Sequence, residues 1–288
     1  MTMQPQTAYP ASPDLPERPA AAAAEPGWPW WYSFVGFASA AVAALVVTIL
    51  LGVVLGAAGV IDPNAGAPGP VLTIAGTLVL DAIFVGTAIA FARIKRRPRA
   101  WHFGLRRTRL WPAVGWAALG IVSFYVFVIV YSLLVQPTAE QTVTQDLGLR
   151  QGGLFLVLGG LLVIVVAPVA EEFFFRGFFY KALRTSIPVL PAALIDGLIF
   201  GGIHYTGPQS LVMLPILGVL GFMFCLVYER TGSLYPVIAL HALQNTIAFG
   251  VQTETAEAWI VGGAIGIATI AACMIVPRFA WRAAPAAA

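Results

Sequence analysis

The chain reads LFLVLGGLLVIVVAPVAEEFFFRGFFYKALR over residues 154–184, an apolar run interrupted by Glu171, Glu172 and Arg176. About 30 residues rise roughly 45 Å as an α-helix, which exceeds the hydrocarbon core of a bilayer, about 30 Å thick. We therefore expect a membrane helix that tilts, kinks or continues along the interface. Pro168 is the expected kink, because it lacks a backbone N–H and leaves a carbonyl unpaired.

The rest of the 288-residue chain is equally apolar. Hydrophobic residues make up 59% of it and charged residues 10%, against about 25% charged in soluble domains. Several runs approach or exceed the ~20 apolar residues that span a bilayer. They are Phe34–Val60, Val71–Ala92, Ala113–Val135, Leu154–Ala170, Leu211–Val227 and Trp259–Val276, with shorter candidates at Val189–Ile203 and Leu234–Phe249. The sequence predicts an all-α, polytopic membrane protein with about eight transmembrane helices.

The basic residues indicate how the chain is oriented. Residues 93–109 contain eight Lys or Arg and no acid, and short loops of this kind stay in the cytoplasm. Two spans precede this loop, so the N-terminus is also predicted to be cytoplasmic, with loops 61–70 and 136–151 on the other side. We expect a multi-pass protein of the plasma or inner membrane. Membrane anchoring explains the basic run better than nucleic-acid binding does.

Composition divides the chain into four predicted parts. Residues 1–33 are rich in Pro and Ala and are expected to be a disordered cytoplasmic tail. Residues 34–151 would be scaffold helices, whose spans hold one acidic residue, Asp81. Residues 152–277 hold every polar cluster and would be the catalytic core, and residues 278–288 a short C-terminal tail. The two cysteines, Cys225 and Cys273, fall in predicted spans and offer neither a disulfide framework nor a CxxC metal site.

The first polar cluster contains two carboxylates and one guanidinium. An ionisable side chain in a bilayer costs several kcal/mol unless it is paired or faces a polar cavity. Glu172 and Arg176 are four residues apart and meet on one helix face, which gives them a structural role. Glu171 points about 100° away from Glu172 on a helix and is the candidate general base.

Two further clusters have the same helical spacing. Phe200 lies four residues before His204, and His241 lies four residues before Asn245. If these side chains converge with Glu171, they supply a base, groups that orient water and donors to an oxyanion. That set of groups suits attack of water on a carbonyl inside an intramembrane catalytic cavity.

The ordered motifs resemble those of the CPBP family of intramembrane proteases, the CAAX prenyl protease and bacteriocin-processing (Abi) group that includes Rce1-like prenyl endopeptidases. The resemblance covers about the last 120 residues and implies an eight-helix bundle with a site reached from the cytoplasm. Glu171 would activate water and His204 would hold it, while His241 and Asn245 would stabilise the oxyanion. The resemblance gives a supporting role to Glu172, Arg176 and Phe200.

The resemblance leaves the cofactor open. The family name implies a metalloprotease, and Glu171, His204 and His241 match the ligand types of a catalytic zinc site. They lie on three segments instead of one HExxH helix, so one Zn²⁺ and a metal-free mechanism both remain. The implied partners are membrane lipids and a membrane-associated protein or peptide substrate, which is lipid-modified in the eukaryotic branch.

Two other functions fit parts of the pattern. A proton-coupled transporter would use Glu171, His204 and His241 as a relay. A non-catalytic scaffold or bacteriocin immunity protein would keep the fold without the chemistry. The enzyme is favoured because the chain retains the free glutamate, both histidines and the asparagine together.

Overall fold

The computed structural model describes residues 27–59, 69–95, 97–136 and 146–280. Within these ranges the fold is all-α and polytopic, as predicted, with eight helices and no strand. The helices are α1 (Tyr32–Ala57), α2 (Pro70–Lys95), α3 (Leu110–Val135), α4 (Gly153–Leu183), α5 (Val189–Gly202), α6 (Leu214–Thr231), α7 (Leu234–Thr253) and α8 (Ala256–Ala280). All except α5 are long and apolar enough to cross a membrane. Most of the predicted N-terminal tail, the C-terminal tail after residue 280 and much of the loops at 61–70 and 136–151 lie outside the described residues.

Helix α4 is longer than the apolar run that begins it. The whole helix has 31 residues and includes the charged cluster. It contains two π-helical segments, Leu162–Val166 and Phe175–Tyr180. Pro168 follows the first segment, and in a π register its missing N–H would have bonded the carbonyl five residues earlier, that of Val163. The unpaired carbonyl expected from the sequence would therefore be that of Val163, about two turns before the acidic pair.

Helices α5 and α6 pack through their backbones. A Cβ atom added at Gly197 would lie 2.5 Å from the carbonyl oxygen of Gly218, and one at Gly201 would lie 2.7 Å from that of Leu214. Only glycine permits this approach. The small residues at the interface bring α5 against α6, as is usual for helices in a membrane.

A cluster of aromatic rings joins the first two helices to α4. Phe174, Phe175, Phe178 and Phe179 are fully buried, and the ring of Phe84 on α2 lies 4.8 Å from that of Phe174. On the α1 side, the hydroxyl of Ser33 donates to the carbonyl of Phe179 at 2.8 Å. Trp28, inside the predicted tail 1–33, is buried against Phe103 and Phe178. This packing fixes the second half of α4, which carries the charged cluster.

Candidate active site

The carboxylate of Glu172 is fully buried and contacts two side chains. Its Oε1 accepts a hydrogen bond from Nη1 of Arg176 at 2.9 Å and lies 2.8 Å from Nδ1 of His241. The pairing of Glu172 with Arg176 was predicted from their spacing and is present. The contact with His241 was not predicted, and it ties α4 to α7 at the centre of the bundle.

The guanidinium of Arg176 contacts two carboxylates and one carbonyl. Besides Glu172, it donates from Nη2 to the carbonyl of Gly221 at 2.8 Å, and the same nitrogen is 3.3 Å from Oδ1 of Asp196. Asp196 is fully buried and also accepts from the thiol of Cys225 at 3.1 Å. Sequence reasoning missed Asp196, although an acid in an apolar helix one turn before Phe200 was the available signal.

Glu171 faces His241 from the other side. The Oε2 atom of Glu171 lies 3.9 Å from Nε2 of His241, and the two side chains are 15% and 5% exposed. That oxygen is buried and has no hydrogen-bond partner among the described residues. The separation is too long for a direct hydrogen bond, and a water molecule within hydrogen-bonding distance of both atoms fits it. Glu172 is held by Arg176 and His241, so of the two adjacent glutamates Glu171 is the candidate for proton transfer.

Asp81 on α2 also lies near Glu171. Its side chain is 5% exposed, and its Oδ2 has no hydrogen-bond partner within the described ranges. It interacts electrostatically with Glu171, consistent with the contact of Phe84 and Phe174 one turn further along the same two helices. Composition predicts that the first half of the chain is scaffold, and the available signal for Asp81 is that it is the one acid in those spans.

The two predicted histidines flank one aromatic ring. His204 lies in the turn after α5, where its Nδ1 is 2.8 Å from the carbonyl of Phe200. The ring centroid of Phe200 lies 5.1 Å from that of His204 and 5.9 Å from that of His241. An Nδ1–H donating to the Phe200 carbonyl leaves Nε2 of His204 as an acceptor.

The side chain of Asn245 contacts the backbone of α4. Its Nδ2 donates to the carbonyl of Val163 at 2.8 Å, the carbonyl that Pro168 and the π-helical segment leave without its usual partner. One amide hydrogen is used in this bond and the second remains for another acceptor. The bond holds α7 against α4 one turn beyond His241.

The predicted zinc ligands are not grouped as a metal site within the described residues. In the part of the chain that the structure describes, no group of three or more His, Cys, Asp or Glu side chains could hold a metal ion. Glu171 approaches His241, while Nδ1 of each histidine is engaged by Glu172 or by Phe200. Because Nδ1 is the engaged atom, Nε2 of each histidine stays available to a metal, and the zinc set Glu171, His204 and His241 remains a proposal.

The comparisons with known proteins cover the segment that holds the motifs. Residues 153–247, which contain all three motifs, match the family model described as "Type II CAAX prenyl endopeptidase Rce1-like". The resemblance predicted from the motifs is confirmed over this segment, which lies in a multi-pass integral membrane protein.

A curated protein is also similar to part of this chain. A segment of 97 residues is 33% identical to the protein called "Putative membrane peptidase YdiL" of Bacillus subtilis (strain 168). The matched segment covers 33% of this chain and 38% of that protein, so the chain spans little more than a third of the relative's length. No solved structure matches the chain.

Proposed function

We propose that this protein is an intramembrane endopeptidase of the CAAX prenyl endopeptidase type. The observation that carries the proposal is the buried, unpartnered Oε2 of Glu171, 3.9 Å from Nε2 of His241. A base and an imidazole with space for one water between them suit the activation of that water. The match of residues 153–247 to a family of endopeptidases supports the same chemistry.

The proposed reaction begins with Glu171 accepting a proton from a water molecule. The water oxygen then bonds to the peptide carbonyl carbon, and the negative charge develops on the carbonyl oxygen. In the second step the C–N bond breaks, and Glu171 returns its proton to the leaving amine. His204 would hold the attacking water through Nε2, the nitrogen that does not face the Phe200 carbonyl.

The oxyanion would be stabilised from α7. When its ring is an imidazolium, His241 can donate from Nε2 while Nδ1 keeps its contact with Glu172. The carboxylate of Glu172 is placed to stabilise the positive charge of that ring. The second amide hydrogen of Asn245 is the other proposed donor. Arg176 and Phe200 act as positioning residues, because Arg176 fixes Glu172 and the Phe200 ring packs near both histidines.

The proposed substrate is a membrane-associated protein or peptide, and its scissile bond would have to enter the bundle from the lipid or from the cytoplasmic side. The family description names prenyl endopeptidases, and the name of the relative refers to a membrane peptidase. A prenylated substrate and an unmodified one are the two cases to compare.

Cleavage of quenched fluorescent peptides, prenylated and plain, tests the proposal directly. We expect Glu171→Gln to lower the cleavage rate at least about 100-fold, the usual contribution of a general base. Glu257→Gln is the matched control, because Glu257 is an exposed acid at the start of α8. Absence of cleavage by the wild type, together with proton flux into liposomes that depends on Glu171, would replace the peptidase with a transporter.

Metal dependence needs its own measurement. The zinc content of the purified protein and of His204→Ala, determined alongside cleavage, distinguishes the two mechanisms. One zinc per active chain that is lost with His204 would require a ligand arrangement different from the one described. Full activity of a zinc-free preparation would support the glutamate and histidine mechanism.

A further inference from the structure

A cavity of about 770 Å³ lies apart from the proposed active site, between α3, α7 and α8. Its volume is within the range of about 300–1,000 Å³ that is typical of small-molecule sites. The walls are mainly aliphatic, with Ala113, Ala118 and Ile121 from α3, Leu243 from α7, and Ile270 and Met274 from α8. Neither His241 nor Asn245 lines the cavity, so the reaction proposed above does not use it.

The charged residues of the cavity belong to one end of the bundle. Helices α3 and α7 begin there and α8 ends there, and Arg107, Arg109 and Arg278 line the cavity at those helix ends. All three arginines are exposed, and no acidic side chain is among the lining residues. The first turns of α3 and α7 add the positive ends of two helix dipoles, which outnumber the one negative end that α8 contributes there. This end of the cavity is suited to an anion, and the rest of it to a hydrocarbon chain.

We propose that the cavity binds one anionic phospholipid, with its phosphate between Arg107 and Arg278 and an acyl chain along α3 and α8. Guanidinium groups bind phosphate oxygens through two parallel hydrogen bonds. Basic pockets between transmembrane helices bind anionic head groups in this way. A zwitterionic lipid would leave the positive charge unbalanced, and a water-soluble phosphate would leave the aliphatic walls uncovered.

Retention of lipid by the purified full-length protein provides the test. The protein is exchanged into an equimolar mixture of phosphatidylglycerol and phosphatidylcholine with identical chains, and the retained lipid is counted by native mass spectrometry. We expect the wild type to retain phosphatidylglycerol in preference, by roughly fivefold for each arginine that contacts the head group. The double variant Arg107→Gln/Arg278→Gln should lose the preference.

Two matched controls separate the cavity from general surface charge. Arg97→Gln/Arg99→Gln removes the same number of charges from the basic loop that holds Arg107 without touching the cavity lining, and it should keep the preference. Ala118→Trp fills the cavity and should reduce retention, while Leu119→Trp, at the next and lipid-exposed position, should not.

The proposal is wrong if the wild type shows no preference, or if both double arginine variants lose it equally. Retention that is unchanged in Ala118→Trp would place the lipid on the surface and would also overturn it. Displacement of the lipid by millimolar inorganic phosphate alone would show that the site recognises the anion without the chain, and would overturn the phospholipid assignment. These outcomes are independent of peptide cleavage, so they do not depend on the proposed peptidase activity.

Discussion

Replacing Arg176 by Met removes the cation that Glu172 and Asp196 share and keeps most of the side-chain length against the Phe200 ring. Both carboxylates are fully buried. Removal of one partner from a buried ion pair costs about 3–5 kcal/mol, because the remaining charge is left uncompensated. The carbonyl of Gly221 also loses its donor. We therefore expect Arg176→Met to lower the free energy of unfolding by about 4 kcal/mol.

Reversible unfolding in mixed micelles measures this loss, and Arg184→Met is the matched control. Arg184 binds Glu229 near the end of α4, where both side chains are 12% exposed. Its removal should cost at most about 2 kcal/mol, because the freed carboxylate can reach water.

A rescue variant completes the comparison. Neutralising both carboxylates, as Glu172→Gln and Asp196→Asn, in the Arg176→Met background should recover at least half of the loss, because the unpaired charges are then gone. The stabilising role assigned to the Arg176 ion pairs is wrong if Arg176→Met costs no more than Arg184→Met, or if the triple variant is less stable than Arg176→Met alone.

Three further predictions concern single positions. Gly197→Ala should destabilise the protein by about 1–3 kcal/mol, since its Cβ would lie 2.5 Å from the Gly218 carbonyl oxygen, while Gly202→Ala, with nothing within 4 Å, should be neutral in the same thermal unfolding assay. Asp81→Leu should raise stability by about 1–3 kcal/mol by removing a buried, unpartnered carboxyl oxygen, yet slow peptide cleavage; parallel losses in both assays would contradict this. Asn245→Leu should lower kcat roughly 100-fold with little change in KM, as for loss of an oxyanion donor, and an effect on stability alone would assign Asn245 to packing.

The sequence predicted the features that depend on one helix at a time. Apolar runs identified the helices because a bilayer requires about 20 such residues, and a spacing of four predicted that Glu172 and Arg176 meet. The length of the run from Leu154 to Leu183 predicted an irregular helix, and Pro168 predicted a free carbonyl near the acidic pair. These local rules hold whatever the neighbouring helices do.

Contacts between helices were not predictable in the same way. Glu172 meets His241 across 69 residues of sequence, and Asn245 donates one amide hydrogen to the Val163 carbonyl on α4. Spacing places two residues on one helix face but does not say which helix that face meets. Asp81 and Asp196 were missed for this reason, because their importance arises only when their helices pack beside α4.

The glycine contacts between α5 and α6 have a consequence for motion. With the backbones touching at Gly197 and Gly201, no layer of side chains lies there on which one helix could slide over the other. We expect Asp196, Phe200 and the Gly221 carbonyl to move together as one rigid body. Glu171 and His241 belong to α4 and α7, outside that body. A hinge that moves α5 and α6 away from α4 would carry His204 away from Glu171, and it would first have to break the contacts of Arg176 with Asp196 and with the Gly221 carbonyl.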